Sequence, residues 1–268
     1  MDNNSPEALA RQVMANPKYK PLAENLVIRL SQEAISKGLT GKPAVKYVRN
    51  KLHQVGGAYF KHKINYAAEQ AQLVQLPPNH HSDQVTAYCQ KTMRMHTSTA
   101  ERLPILDEFF QTCLAPIAPV TSVLDLACGL NPLAIPWMPL ANSAQYFDCD
   151  VYLDMLDLIE SFFIHINLDG RTTACDLVSA IPIHKAQVAF LLKSIPCLEQ
   201  MDKSIGIRLL AGIQAEHILA SFPVHSLGGK NKGMQDFYGE HFTDMIKDKD
   251  WNVREFHFKT ELAFLVSK

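Results

Sequence analysis

The chain carries several side chains placed where a nucleotide-like ligand needs them. From Thr121 to Pro132 it reads Thr-Ser-Val-Leu-Asp-Leu-Ala-Cys-Gly-Leu-Asn-Pro. Apolar Val123, Leu124 and Leu126 run into a small-residue turn at Ala127 to Gly129, the pattern of a buried strand ending in a loop that a ligand can approach closely. About 20 residues on, a second apolar run, Gln145 to Cys149, closes on Asp150, where a carboxylate can accept from ribose hydroxyls. Alone, Asp150 would serve equally as a helix cap; beside the first loop, cofactor binding is the better reading. Thr172 to Cys175 leads to Asp176-Leu177, and Gln187 to Leu192 ends at Lys193. Strand ends at 127, 150, 176 and 193 should converge on one edge. A helix running on from Met95-His96-Thr97-Ser98-Thr99-Ala100-Glu101-Arg102, capped by Thr97, Ser98 or Thr99, delivers Arg102 just before the opening strand.

The chemistry is narrowed by what is missing. There is no phosphate loop of the G-x-x-x-x-G-K-[ST] type, no G-x-S-x-G nucleophile elbow and no internal repeat. Gly129 stands alone where a dinucleotide fingerprint needs three glycines, which demotes NAD. Asp125, Ala127 and Gly129 instead match a D-x-[GA]-x-G loop of the kind that lies under S-adenosylmethionine. His80 and His81 lack a further partner at ligand spacing, so no metal site is expected.

The positioning elements follow from periodicity. Residues 6 to 16 and 22 to 37 have helical spacing, with a stripe of Leu22, Leu26, Val27, Leu30, Ala34 and Ile35 and a stop at Gly38. A third helix from Pro43 ends near Gly56-Gly57 and sets Lys42, Lys46, Arg49 and Lys51 opposite its apolar face. Residues 75 to 82 read as a linker. Helices are expected over 153 to 167, 204 to 214 and 236 to 247, and strands over 217 to 222, 253 to 258 and 262 to 266. The last two, separated by Lys259 to Glu261, form a hairpin that puts one antiparallel strand into a doubly wound, mostly parallel α/β sheet. The expected division is a helical unit over 1 to 80 and a Class I, Rossmann-like α/β unit over 81 to 268.

The 268 residues are 47% hydrophobic and 20% charged, ordinary for a globular protein. No apolar run approaches the roughly 20 residues of a membrane span, and Met1 to Glu7 is polar, so a cytoplasmic protein is expected. The six cysteines are dispersed in apolar runs and read as reduced core residues. The net charge of −1 hides an asymmetry: through Lys63 there are 11 Lys and Arg against four Asp and Glu, while the rest has 15 against 23. A +7 segment followed by a −8 remainder fits a localised polyanion-binding surface, and fits a solvated outer face equally well.

Three motifs in order carry a resemblance. They are Leu124 to Leu133, His96 to Leu103, and Ser221-Phe222-Pro223 leading to Ser226-Leu227-Gly228-Gly229-Lys230; Leu52-His53 and Gly57-Ala58-Tyr59 extend the likeness towards the N-terminus. Over nearly its whole length the chain resembles the aminoglycoside-resistance 16S rRNA (guanine(1405)-N(7))-methyltransferases. The resemblance implies a Class I methyltransferase domain using S-adenosyl-L-methionine, preceded by a helical domain that docks on the assembled 30S subunit, in a monomer. On matching positions, Arg102, within His96 to Arg102, would grip the cofactor carboxylate. Ala127 and Gly129 would line the methionine portion, Asp150 would hold the ribose hydroxyls, and Asp176 with Leu177 would address the adenine, with Leu192 and Tyr59 as further contacts.

The basic helix, with Lys42, Lys46, Arg49 and Lys51, would face rRNA, as would the segment containing His225, Ser226, Lys230, Lys232 and Met234. The chain departs from the pattern after Pro223, where Val224-His225 replaces Thr followed by Lys or Arg, so a titratable imidazole stands in for a fixed cation. No catalytic base is expected, because guanine N7 has an in-plane lone pair and no proton. The alternatives from other classes are a non-catalytic rRNA-binding protein with a vestigial cofactor pocket, and a small-molecule methyltransferase.

Overall fold

The computed structural model describes residues 5–56, 64–224 and 233–268. Its first three helices are α1 (Pro6–Met14), α2 (Glu24–Ser36) and α3 (Gly41–Gly56). They bury Val13, Leu26, Val27, Leu30, Ala34 and Val48 in a small core of their own. Gly38 ends α2 as its position suggests: at φ +73° it lets its own N–H reach Ile35 O and the Leu39 N–H reach Ala34 O, closing a Schellman motif.

Next come α4 (Tyr66–Leu73) and α5 (Asp83–Met93), neither of which periodicity had singled out. A boundary at residue 80 groups α4 with the first three helices, yet Tyr66 and Leu73 pack into the core under the sheet. α4 is tied to α5 by Lys91 Nζ, 3.0 Å from Glu69 Oε2. The helix expected to run on from Met95 through Arg102 stops there: α6 (Thr97–Arg102) and α7 (Leu106–Leu114) are separate, with a 3-10 turn at Leu103–Ile105 between them. Pro104 supplies the physical reason, since it has no N–H for the ladder. Nor does Thr97, Ser98 or Thr99 cap α6. The cap position is His96, all three hydroxyl residues lie inside the helix, and the Thr99 hydroxyl donates back to Met93 O at 2.7 Å.

The sheet contains β1 (Val120–Leu126), β2 (Leu140–Asp150), β3 (Asp169–Ala174), β4 (Ala186–Leu192), β5 (Ala215–Pro223), β6 (Asn252–His257) and β7 (Glu261–Ser267). The order is β3-β2-β1-β4-β5-β7-β6, parallel from β3 through β5. β7 is the antiparallel strand, inserted between β5 and β6. Helix α8 (Leu153–His165) crosses from β2 to β3, and α9 (Ile195–Leu198) and α10 (Ile205–Gly212) join β4 to β5; α11 (Met234–Ile246) precedes β6. The connection from β1 to β2 has only a 3-10 stretch, Asn131–Trp137, whose interior Pro136 has no N–H to continue a regular helix.

Two apolar layers sandwich the sheet. α4, α5, α7 and α8 cover one face, with Phe109, Phe110, Phe162 and Phe190 at its centre. α10 and α11 cover the other, over Leu124, Leu191, Phe222, Phe242 and Phe264. Central strands are buried on both sides, which is why β4 and β7 are almost continuously apolar, whereas the edge strands β3 and β6 are polar and largely exposed. All six cysteines are free.

Candidate functional site

The carboxyl ends of β1, β2, β3 and β4 do meet, at a cleft that opens to solvent. Its floor is the loop after β1. Ala127 and Gly129 take left-handed backbone angles, φ +51° and +55°, which turn the chain sharply enough to bring its amides to the sheet edge. Cys128 N–H donates to Cys149 O at 3.1 Å and Gly129 N–H to Asp150 Oδ2 at 2.9 Å. Asp150 therefore braces the loop as well as facing the cleft. Its other oxygen accepts from Val151 N–H at 2.6 Å. Burial pushes the Asp150 carboxyl above its ordinary range, and the backbone N–H groups of Gly129, Val151 and Tyr152 pull it back in part.

Behind the loop lies a chain of buried polar groups. Arg102 is wholly buried, with Nε 2.8 Å from Glu261 Oε1, Nη2 donating to Glu261 Oε2 at 3.0 Å and Nη1 donating to Asn131 Oδ1 at 2.7 Å. The Phe109 ring lies 4.9 Å beneath its guanidinium. Asn131 donates in turn to Asp125 Oδ2 at 2.8 Å, as does the Tyr146 hydroxyl at 2.8 Å. Burial lifts Asp125 to about 7, against the pull of those two donors and of Arg102.

On the far side Lys193 holds φ +58° and its Nζ reaches Ser98 O at 3.0 Å, Glu101 Oε2 at 3.0 Å and Glu261 Oε1 at 3.2 Å. Burial alone would raise Glu261, but the charges of Arg102 and Lys193, with the hydrogen bonds of Arg102 and Ser221, outweigh it and hold it below its usual value. His96 sits against Gly129, and burial next to Lys193 and Arg102 drives its imidazole down to about 3. It is a neutral ring throughout the physiological range.

Most of the expected residues converge. His96, Ser98, Thr99, Arg102, Ala127, Gly129, Asp150, Asp176, Leu177 and Leu192 line the cleft, whereas Thr97, Ala100 and Glu101 do not. Glu101 turns instead to Lys193. Sequence reasoning missed Asn131, Lys193 and Glu261, although Lys193 stood at a predicted strand end, and it missed Leu26 of α2, which closes the cleft from the helical side. Tyr59, His225, Ser226, Lys230 and Lys232 lie outside the described residues.

Met234 opens α11 and is half-buried. On α3, Lys42 and Lys46 are exposed, while Arg49 and Lys51 are half-buried rather than free on an outer face. The Arg49 guanidinium lies 5.8 Å from the Tyr19 ring. Lys18, which the sequence had not singled out, joins this face with Nζ 2.7 Å from His53 Nε2. Among the described residues no group of His, Cys, Asp and Glu could hold a metal ion, and no helix is long and apolar enough to cross a membrane.

A parallel sheet with one inserted antiparallel strand, a glycine loop after β1 and an acid ending β2 define a Class I S-adenosylmethionine-dependent methyltransferase. Over residues 15–265 the chain matches the family described as "Ribosomal RNA methyltransferase (FmrO)". It belongs to that family. It is 30% identical over 274 residues to the 16S rRNA (guanine(1405)-N(7))-methyltransferase of Micromonospora echinospora, covering 100% of both chains. With the enzyme of the same name from Micromonospora rosea it shares 29% identity over 264 residues, 98% of this chain and 96% of that one. Among solved structures it is similar to the 16S rRNA methyltransferase RmtF in complex with S-adenosyl-L-homocysteine, at a TM-score of 0.83 and 29% identity, covering 100% of this chain and 99% of that one.

Proposed function

We propose that this protein transfers the methyl group of S-adenosylmethionine to N7 of guanine 1405 of 16S rRNA in the assembled 30S subunit, as a cytoplasmic monomer, and so confers aminoglycoside resistance. The observation that carries the reading is the end-to-end similarity to enzymes of that name, joined to a cleft with matching chemistry. The cleft suits the cofactor. Arg102 lines the cleft with a guanidinium of which Glu261 and Asn131 take three of the five N–H groups, left-handed backbone leaves room at the centre, and Asp150 offers an acceptor for ribose hydroxyls. When bound, S-adenosylmethionine supplies an electrophilic sulfonium methyl.

The protein's own task is then positioning. Guanine N7 attacks through an in-plane lone pair, so no side chain has to remove a proton, and alignment of nucleophile and methyl supplies the acceleration. His96, whose burial beside Lys193 and Arg102 leaves its ring with little affinity for a proton, packs on the loop and fits a shaping role rather than that of a base. In A-form RNA the N7 edge lies in a deep, narrow groove, so the target base has to leave its stack to reach the cleft. The cationic side of α1 to α3, with Lys18, Lys42 and Lys46 exposed, supplies the electrostatic docking surface, and the docking unit corresponds to the small core of residues 6–56.

The test is methylation of purified 30S subunits with labelled S-adenosylmethionine, followed by mass mapping of the rRNA. Label at N7 of guanine 1405 is expected, and absence of label from 30S rRNA refutes the assignment. The double substitution Lys42→Glu with Lys46→Glu should lower transfer to 30S while leaving S-adenosylhomocysteine affinity as it was. Equal loss of both would place these lysines elsewhere in the function.

A further inference from the structure

Four of the six cysteines gather at one place in the fold. Cys128, Cys175 and Cys197 line the cleft, and Cys149 of β2 lies against Cys175. Methyl transfer to guanine N7 uses none of them, because the nucleophile is the base itself. The sulfurs are a cluster of soft nucleophiles whose chemistry that reaction leaves free.

Cys175 is the first residue beyond β3. The ladder between β2 and β3 pairs Cys149 with Thr173 and Asp150 with Ala174, and Cys175 N–H adds one more rung by donating to Asp150 O at 3.0 Å. Its backbone is thus fixed at the sheet edge, while its side chain is half-buried. Cys149 and Cys175 pack in the same apolar layer, on the face covered by α10 and α11, and the Cys149 thiol donates to the Cys175 sulfur. The Cys175 thiol gives in turn a long bond to Ala180 O at 3.5 Å.

These thiols differ in what holds their protons. The thiolate is the nucleophile, and a thiol buried among apolar groups is inert. Cys89 and Cys113 are wholly buried under the sheet, and burial pushes both thiols up. Cys128 is 5% exposed; burial, then the charges of Asp148, Asp150 and Asp125, push its thiol well above the usual value. Cys149 is 2% exposed, and its hydrogen bond to Cys175, with burial, keeps its proton on. Cys175 goes the other way, because the hydrogen bond from Cys149 outweighs burial and the charge of Asp176.

We propose that Cys175 is a covalent modification site inside the cofactor cleft, open to small carbon electrophiles in the cofactor-free protein, shielded by bound S-adenosylmethionine, and excluding the cofactor once modified. The inference rests on the reading of the cleft as the S-adenosylmethionine site. Asp176 and Leu177, the next two residues, line the cleft and are those assigned to the adenine, so a group added to the Cys175 sulfur occupies space that the adenine requires. With iodoacetamide the step is a substitution: the sulfur attacks the methylene carbon, the S–C bond forms as the C–I bond breaks, iodide leaves and the thiol proton passes to water.

The experiment treats the reduced full-length protein with a limiting amount of iodoacetamide and follows each cysteine peptide by mass spectrometry, with and without saturating S-adenosylhomocysteine. Cys175 should be alkylated first, ahead of Cys197, the other half-buried thiol of the cleft, and S-adenosylhomocysteine should slow the reaction. Protein modified at Cys175 should lose S-adenosylhomocysteine binding in calorimetry, whereas in Cys175→Ala the same treatment should leave whatever affinity that variant has. Cys149→Ala, checked for folding by circular dichroism, should react more slowly at Cys175, and an unchanged rate overturns the pairing on which the choice of Cys175 stands. If that variant does not fold, the wild-type labelling order decides. Earlier labelling of Cys197 or Cys128 overturns the proposal. So does a rate at Cys175 that is equal with and without S-adenosylhomocysteine in protein that binds it, or affinity kept after complete modification at Cys175. Failure of the unmodified wild type to bind S-adenosylhomocysteine refutes the cofactor reading instead, so the two failures are distinct.

Discussion

Replacing Gly129 by alanine tests the geometry of the loop that holds the cleft together. The residue sits at φ +55°, and a Cβ built there would lie 2.9 Å from His96 Cε1, 3.2 Å from Nε2 and 3.3 Å from Nδ1. Two penalties follow. Left-handed backbone costs an L-residue roughly 1–2 kcal/mol, and overpacking a buried site costs about 1–3 kcal/mol. His96 is itself only 7% exposed, so its ring has little room to withdraw. The sum, about 2–5 kcal/mol, corresponds to a Tm lowered by roughly 5–15 °C for a domain of this size, and displacement of the Gly129 N–H from Asp150 should weaken S-adenosylhomocysteine binding as well. Thermal denaturation of four proteins separates the two penalties: wild type, Gly129→Ala, His96→Ala and the double variant. In the His96→Ala background the glycine substitution should cost only the backbone part. A Gly129→Ala protein melting within about 2 °C of wild type refutes the loop geometry, and an equal cost in both backgrounds refutes the contact with His96.

Further outcomes follow from the buried charges. Glu261→Gln removes the carboxylate between Arg102 and Lys193, and breaking such a buried pair costs about 3–5 kcal/mol; denaturant unfolding at neutral pH measures it, and a loss below about 1 kcal/mol contradicts the network. Asp148 lies at the register position beside Asp125, is 2% exposed and has no hydrogen-bond partner for either carboxyl oxygen among the described residues. Burial, then the charges of Asp125, Asp150 and Glu160, push its carboxyl well above the ordinary value. The folded state therefore keeps a proton that the unfolded chain loses above about pH 4, and stability from this group falls as pH rises above that point, by up to about 1.4 kcal/mol per unit. Asp148→Asn should accordingly raise Tm at pH 7.5 and give a shrinking gain as the pH approaches 4; a gain independent of pH rejects the ionisation argument.

Much of this protein was legible in its sequence because the relevant forces are local. Alternation and apolar runs gave away the strands, Gly38 marked the end of α2, and the run from Val123 to Gly129 announced a strand and a ligand loop whose acid partner lay one strand later. Even the inner place of β7 follows from composition, since Glu-Leu-Ala-Phe-Leu-Val is too apolar for an edge while Asn-Val-Arg-Glu-Phe-His is not. The break at Pro104 was also written in the chain, although helical spacing on both sides concealed it. What tertiary structure alone decided are the partnerships of charged groups. Arg29 meets Asp176 across 147 residues and Arg102 meets Glu261 across 159. No periodicity encodes such pairs, because each depends on how two separately legible elements come to lie together, and because a buried charge is stable only where the fold brings its counterpart. The sequence thus determined the cofactor loop and its chemistry; packing determined that Arg102 is already neutralised, that Glu101 serves Lys193, and that α2 forms a wall of the cleft.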